Sequence, residues 1–176
     1  MKQSISKFDS RIKANVFLDG SKSISNRVLI IAAMSKGTTT FDNLPNSADV
    51  LACVGTLTEL GCDLQHDQDA KTLTIIGCDG EFNANQAEIF CNESGTLTRF
   101  IIPMCAVNTN GEYHVYAKQR MMERPLADLL LPMESIGMIS QYKNLQYSLP
   151  MTITALGIDG GDVDVDRFGE ILGVDM

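Results

Sequence analysis

Apolar residues recur along this chain with two different spacings. Four segments repeat them at intervals of three and four, which predicts helices, and shorter segments between these are β-branched or alternate with polar residues, which predicts strands. The predicted helices lie at 22–35, 47–61, 95–106 and 125–137. The predicted strands lie at 14–18, 38–41, 63–65, 72–76, 87–90, 113–116 and 151–154.

The first predicted helix has a face that the spacing assigns to the core. Ser21 or Ser23 is expected to cap its start, because a side-chain oxygen there can accept a bond from a free backbone N–H. The residues of the predicted buried face are Ile24, Val28, Ile31 and Ala32.

The start of this helix also carries two cations, Lys22 and Arg27. A lysine in the first turn opposes the helix dipole, so its presence makes most sense if an anion binds there. Ser23 and Arg27 are four residues apart and therefore lie on one face, where they can converge on one ligand. Two interpretations are open at this point: an anion-binding helix start, and an ordinary capped helix with solvated cations.

The order of the predicted elements occurs twice, which indicates an α/β (α+β) fold of repeated β-α-β-α-β-β units. The two units lie at about 20–80 and 85–160, and Arg27 in the first matches Arg99 in the second. Gly61 and Gly137 end the corresponding second helices. If the helix starts of the two units meet, they form a concentrated anion site.

A second cationic cluster precedes the last predicted helix. Lys118, Arg120 and Arg124 fall within seven residues, and Arg124 is followed by Pro125. Proline restricts the residue before it to extended conformations, and arginine can grip a carboxylate or phosphate with two hydrogen bonds. The alternative is a solvated charged loop.

The composition and net charge limit which binding partners and which cellular compartment are expected. The chain of 176 residues has a net charge of −8, which disfavours a nucleic acid partner because such binding depends on a basic surface. It has no apolar run long enough to span a membrane and no signal-like N-terminus, so a cytoplasmic protein without membrane attachment is expected. Five cysteines without a paired spacing and two histidines predict reduced, mostly buried thiols and no metal site.

Four ordered motifs together resemble the 5-enolpyruvylshikimate-3-phosphate synthase (3-phosphoshikimate 1-carboxyvinyltransferase) family. The resemblance extends to about residue 165 and identifies the chain as an N-terminal, truncated portion. It implies an incomplete inside-out barrel, in which 1–19 holds the first strand or strands of the other domain and 20–176 is part of a substrate-binding domain. The motifs are Gly20-Ser21-Lys22-Ser23-Ile24-Ser25-Asn26-Arg27, Asn46-Ser47-Ala48-Asp49, Ser94-Gly95-Thr96-Leu97-Thr98-Arg99 and Arg120-Met121-Met122-Glu123-Arg124-Pro125.

The resemblance implies transfer of the carboxyvinyl group of phosphoenolpyruvate to the 5-hydroxyl of shikimate 3-phosphate, without metal or organic cofactor. It places Lys22 at the reacting centre in contact with both substrates, and it assigns Ser23 and Arg27 to shikimate 3-phosphate. It assigns Gly95 and Arg124 to phosphoenolpyruvate. Weaker assignments by the same resemblance are Thr96, Arg99 and Arg120.

Two departures from the family pattern affect these expectations. The family usually has Gly-Asn where this chain has Asn92-Glu93, and a carboxylate there repels an anion unless it is turned away or hydrogen-bonded. The family's aspartate general base also has no counterpart in these residues, so the isolated fragment is expected to be inactive and to need a complementing chain, whereas full-length members are expected to be monomeric. The alternative is a non-catalytic anion-binding or scaffold module that retains the fold.

Overall fold

Five helices and seven strands are formed by the residues that the computed structural model describes, which are residue 11 and residues 13–163. The helices are α1 (Lys22–Met34), α2 (Ala48–Glu59), α3 (Gly95–Ala106), α4 (Gln119–Met122) and α5 (Ala127–Ser135). The strands are β1 (Lys36–Phe41), β2 (Asp63–Asp67), β3 (Thr72–Cys78), β4 (Gln86–Phe90), β5 (Gly111–Tyr116), β6 (Ile139–Tyr142) and β7 (Met151–Ala155).

The strands form two sheets, and three adjacent strands of the second sheet repeat the order of the three strands of the first. The first has the order β1-β3-β2 and is antiparallel throughout, while the second has the order β4-β5-β7-β6. In the second sheet β4 pairs parallel with β5, and the remaining pairs are antiparallel. Strands β1, β3 and β2 therefore correspond to β5, β7 and β6, which confirms an α/β fold of repeated units. The boundaries of the two units at about 20–80 and 85–160 stay a prediction.

The strand predicted at 14–18 is wrong for the described residues, which have no regular structure there. Val16, Phe17 and Leu18 are 75%, 96% and 79% exposed. A strand needs a partner for its backbone groups, whereas Leu18 accepts a hydrogen bond from a side chain, with Asn43 Nδ2 donating to its carbonyl at 3.3 Å. The assignment of 1–19 to another domain stays a prediction, and residues 1–10 and 12 lie outside the described residues, as do 164–176.

The buried face of α1 differs from the predicted one. Ile24 and Ile31 are 62% and 67% exposed, Val28 is half-buried, and of the four predicted residues Ala32 is buried. Apolar residues occur on every side of this helix, so the spacing alone fits more than one face. The helix packs against α2, α3 and β3 through a different set of side chains. Its buried residues are Ser25, Asn26, Leu29, Ile30, Ala32 and Ala33.

The cysteines are free thiols, as predicted. Cys53, Cys62, Cys91 and Cys105 are buried, and Cys78 is half-buried. Burial disfavours the thiolate and raises the pKa of all five, to about 12 for Cys53, Cys62 and Cys91. These thiols therefore pack as small apolar side chains at neutral pH. None of the helices in residues 13–163 has the length and apolar character that a bilayer span requires.

Candidate active site

A pocket of about 210 Å³ opens where the starts of α1, α2 and α3 approach the segment that contains α4. Three of the predicted cationic residues converge in it, although they come from segments about 100 residues apart in the chain. A local concentration of Lys and Arg creates a positive potential even on a protein with a net charge of −8. The lining residues are Lys22, Asp49, Glu93, Arg120, Met121 and Arg124.

Lys22 has an internal counter-ion in this pocket. Its Nζ lies 3.0 Å from Asp49 Oδ2, and the side chain of Lys22 is 58% exposed whereas that of Asp49 is 17% exposed. Asp49 belongs to the first turn of α2, which Ser47 caps by accepting a bond from the Val50 N–H at 3.3 Å. A carboxylate in a first helical turn is favoured by the dipole, so Asp49 is fixed by its own helix and orients the lysine.

Gly95 leaves room for the guanidinium of Arg124. A Cβ added at Gly95 would lie 3.4 Å from Arg124 Nη1 and 3.9 Å from Met121 Sδ. Met121 is buried, and its carbonyl accepts a bond from the Arg124 N–H at 3.2 Å. The start of α3 and the end of α4 therefore meet at close range, with the arginine between the glycine and the pocket.

The starts of α1 and α3 are joined by a buried hydrogen bond. Asn26 is 0% exposed, and its Nδ2 donates to Ser94 Oγ over 3.2 Å. Ser94 caps α3, since the same oxygen accepts from the Leu97 N–H at 3.2 Å. This bond fixes the spacing between the helix that carries Lys22 and the helix that begins at Gly95.

Five of the predicted residues do not line this pocket: Ser23, Arg27, Gly95, Thr96 and Arg99. Arg27 Nη1 donates to the Ser23 carbonyl at 2.8 Å, and its guanidinium lies 5.2 Å from the centre of the Phe100 ring. The bond is to the backbone of Ser23, so the convergence of the Ser23 and Arg27 side chains on one ligand stays a prediction. Arg99 is held by Asp128 through two bonds of 3.2 and 2.9 Å, so it is turned towards α5. Thr96 is half-buried in the first turn of α3.

Asp49 and Met121 are pocket residues that the sequence reasoning did not assign to the site. Asp49 lies in a stretch whose sequence predicts a helix cap, and no feature of the neighbouring sequence shows that this cap faces Lys22. The sequence signal for Asp49 was indirect: within one repeat unit, one predicted helix begins with a basic residue and the next begins with an acidic residue. Met121 lies between Arg120 and Arg124, and its burial distinguishes it from those two arginines.

A family model described as EPSP synthase (3-phosphoshikimate 1-carboxyvinyltransferase) matches residues 7–167, which is most of the chain. The chain belongs to this family. Among the curated relatives, the 3-phosphoshikimate 1-carboxyvinyltransferase of Shewanella denitrificans is 37% identical over 157 residues, which cover 88% of this chain and 36% of the relative. The enzyme of the same name from Vibrio atlanticus is 34% identical over 157 residues, covering 89% and 37%.

Solved structures agree on the fold. An EPSP synthase from Acinetobacter baumannii superimposes with a TM-score of 0.73 at 20% identity, covering 87% of this chain and 36% of that structure. A second structure of an EPSP synthase from the same organism gives a TM-score of 0.72 at 21% identity, covering 80% and 31%. The chain thus spans about a third of the length of the proteins that it matches.

Proposed function

We propose that this chain binds phosphoenolpyruvate and shikimate 3-phosphate and provides one side of the active site of a carboxyvinyl transfer reaction. The observation that supports the proposal is the convergence of Lys22, Arg120 and Arg124 on one pocket in a protein of net charge −8. Both proposed ligands carry a phosphate and a carboxylate. Guanidinium groups bind such anions with paired, charge-assisted hydrogen bonds.

The geometry suggests a division of roles. Arg124 beside Gly95, with Arg120, holds phosphoenolpyruvate, and Lys22 is placed to stabilise negative charge that develops at the reacting centre. Lys22 is available for this role because its partner Asp49 is an exchangeable counter-ion on a lysine that is 58% exposed. Ser23 and Arg27, on the same helix start, are proposed to hold shikimate 3-phosphate at the side of α1 that faces Phe100. Positioning two anions next to each other is itself a large part of such catalysis.

We further propose that the 176 residues tested on their own bind substrates without turnover. In the family reaction a general base takes the proton of the attacking hydroxyl, and the resemblance places that aspartate in the part of the relatives that the match does not reach. The alternative, a scaffold module that retains the fold, predicts no specific binding of either substrate.

The test is calorimetric titration of each substrate into the full chain, its Lys22→Ala and Arg124→Ala variants, and a matched control, Lys36→Ala. Lys36 is an exposed lysine of β1 that pairs with Asp79 at 2.9 Å and does not line the pocket. Saturable binding that the two pocket variants weaken by about tenfold or more, and the control does not, supports the proposal. Equal affinities for all four proteins, or no binding, would contradict it. Phosphate release by the isolated chain at rates typical of enzymes would contradict the expected lack of turnover.

A further inference from the structure

Glu93 brings a second carboxylate into the pocket, at a position where the family usually has asparagine. Glu93 is exposed and is one of the residues that line the same cavity as Lys22, Arg120 and Arg124. Asp49 is paired with Lys22, but Glu93 makes no ion pair within 4.0 Å and no side-chain hydrogen bond with any other described residue. No described residue therefore neutralises the carboxylate of Glu93.

The backbone on both sides of Glu93 is fixed. Asn92 is 8% exposed and has a left-handed conformation with φ of 51°, which asparagine tolerates better than most residues other than glycine. Its carbonyl accepts a bond from the Lys118 N–H at 2.9 Å, and the Ser94 N–H donates to the Cys91 carbonyl at 3.0 Å. The turn that a glycine would form is thus kept, and it holds the backbone of Glu93 at the edge of the pocket.

The charge of the pocket depends on this residue. Three cationic and two carboxylate side chains line it, which leaves one unit of positive charge. Asp49 already offsets Lys22 at 3.0 Å, so Glu93 opposes the field of the two arginines. Charges that share one small pocket lie within a Debye length of each other at physiological salt, about 8 Å, and are screened only in part. A ligand with several negative charges therefore meets more repulsion from Glu93 than a ligand with one.

We propose that Glu93 is a specificity-determining residue that lowers the preference of the pocket for multiply charged anions, such as phosphate esters, relative to singly charged carboxylates. The proposal rests on the proposed function, because it concerns the same pocket and the same phosphorylated ligand class. Glu93 weakens the binding of phosphoenolpyruvate but does not abolish it, since one net positive charge and the donors of Arg120 and Arg124 remain.

The test compares phosphoenolpyruvate with pyruvate, which carries the carboxylate but no phosphate, by calorimetric titration of the full chain. The variants are Glu93→Gln, Glu93→Asn, which introduces the family's usual residue, and the control Glu88→Gln. Glu88 is an exposed carboxylate of β4 that does not line this pocket, so its loss changes the net charge equally. We expect both Glu93 variants to bind phosphoenolpyruvate about tenfold more tightly, with a smaller gain of about threefold for pyruvate and no gain in the control.

The contrast between the two ligands separates a charge effect from a structural one, since a change in packing alters both affinities alike. Wild-type binding that Lys22→Ala weakens, with no gain in either Glu93 variant or an equal gain for both ligands, would overturn this inference and leave the proposed function intact. No binding of phosphoenolpyruvate to the wild type or to either Glu93 variant would overturn the proposed function and the inference with it. Binding of phosphoenolpyruvate by the Glu93 variants alone would overturn the proposed function of the wild type, while supporting the role of Glu93 in specificity with an effect larger than the weakening expected here.

Discussion

Asn26 and Ser94, which are 68 positions apart in the chain, are joined by a hydrogen bond of 3.2 Å between Asn26 Nδ2 and Ser94 Oγ. Asn26 is 0% exposed and Ser94 is 1% exposed, so water cannot replace the bond if one partner is removed. The other polar atom of the amide, Asn26 Oδ1, is buried and has no partner among the described residues. Burying an amide group without hydrogen bonds costs free energy, and the bond to Ser94 offsets part of that cost for Asn26. The bond also requires the starts of α1 and α3 to lie at one defined spacing.

Removing the Asn26–Ser94 bond is expected to destabilise the fold. Asn26→Ala leaves the Ser94 hydroxyl without its donor and should lower the free energy of unfolding by about 1–3 kcal/mol. Ser94→Ala also loses the α3 cap, so the double variant is needed to isolate the pair, and a coupling energy of about 0.5–3 kcal/mol is expected. Urea unfolding measures all four proteins, with the exposed Asn110→Ala as control. Strict additivity of the two single changes would contradict the inferred coupling between the helix starts.

The contact between Gly95 and Arg124 predicts that a substitution at Gly95 weakens ligand binding without lowering the stability of the fold. In Gly95→Ala the new Cβ lies 3.4 Å from Arg124 Nη1, at the short limit of ordinary van der Waals contact, so the methyl group narrows the space in which the guanidinium can adjust to a ligand. Phosphoenolpyruvate affinity should fall about three- to tenfold, because charge-assisted bonds depend on geometry. Stability should not fall, since alanine is favoured over glycine in a helix by about 0.5–1 kcal/mol.

Gly55→Ala is the matched control for this change. Gly55 lies in α2, and a Cβ added there meets nothing within 4 Å. It should raise the thermal midpoint without altering the affinity for phosphoenolpyruvate. Equal effects of the two alanine variants on binding would show that the guanidinium adapts to the methyl group at no cost.

Arg99 and Arg124, which the resemblance both assigns to the site although Arg99 more weakly, are expected to differ in function. Arg124 lines the pocket, whereas Arg99 is occupied by Asp128 through bonds of 3.2 and 2.9 Å. Arg99→Gln should therefore leave the affinity for phosphoenolpyruvate within about twofold and change stability by less than about 1 kcal/mol, as is typical of an exposed ion pair. Arg124→Gln should weaken binding about tenfold or more. Equal losses in titrations of both variants would contradict the distinction.

Most of the secondary structure and the cationic residues could be predicted from sequence because both are local signals, although α4 and β6 were not predicted. Spacing located both ends of α2 and β3 within two residues, and Lys22 and Arg124 stood out as cations beside predicted helix starts. The placement of α1 could not be read in the same way, because Ile24 and Ile31 satisfy the helical period yet face outward. Which face is buried depends on the partners α2, α3 and β3, which no local pattern encodes. The role of Asp49 was missed for the same reason.

The buried thiols predict a loss of stability in alkaline solution. The pKa of Cys53, Cys62 and Cys91 is raised by burial from 9.0 to about 12, so the folded protein keeps the thiol proton after the unfolded chain has lost it. A raised folded pKa contributes stability that is fully present below 9.0 and is lost as the pH rises towards 12. At about pH 10 the free energy of unfolding should be lower than at neutral pH by on the order of 1 kcal/mol for each thiol.

Urea unfolding at intervals across this range measures the slope, and Cys53→Ala, compared with the wild type at each pH, isolates one thiol. The variant should lose less stability between neutral pH and about pH 10 than the wild type does, although its stability at neutral pH is lower because a buried side chain is shortened. Thiol labelling gives an independent check: Cys78, the half-buried thiol, should react first in the native protein, and the other four should react after unfolding. A Cys53→Ala profile parallel to that of the wild type would show that the Cys53 thiol ionises equally in the folded and unfolded states.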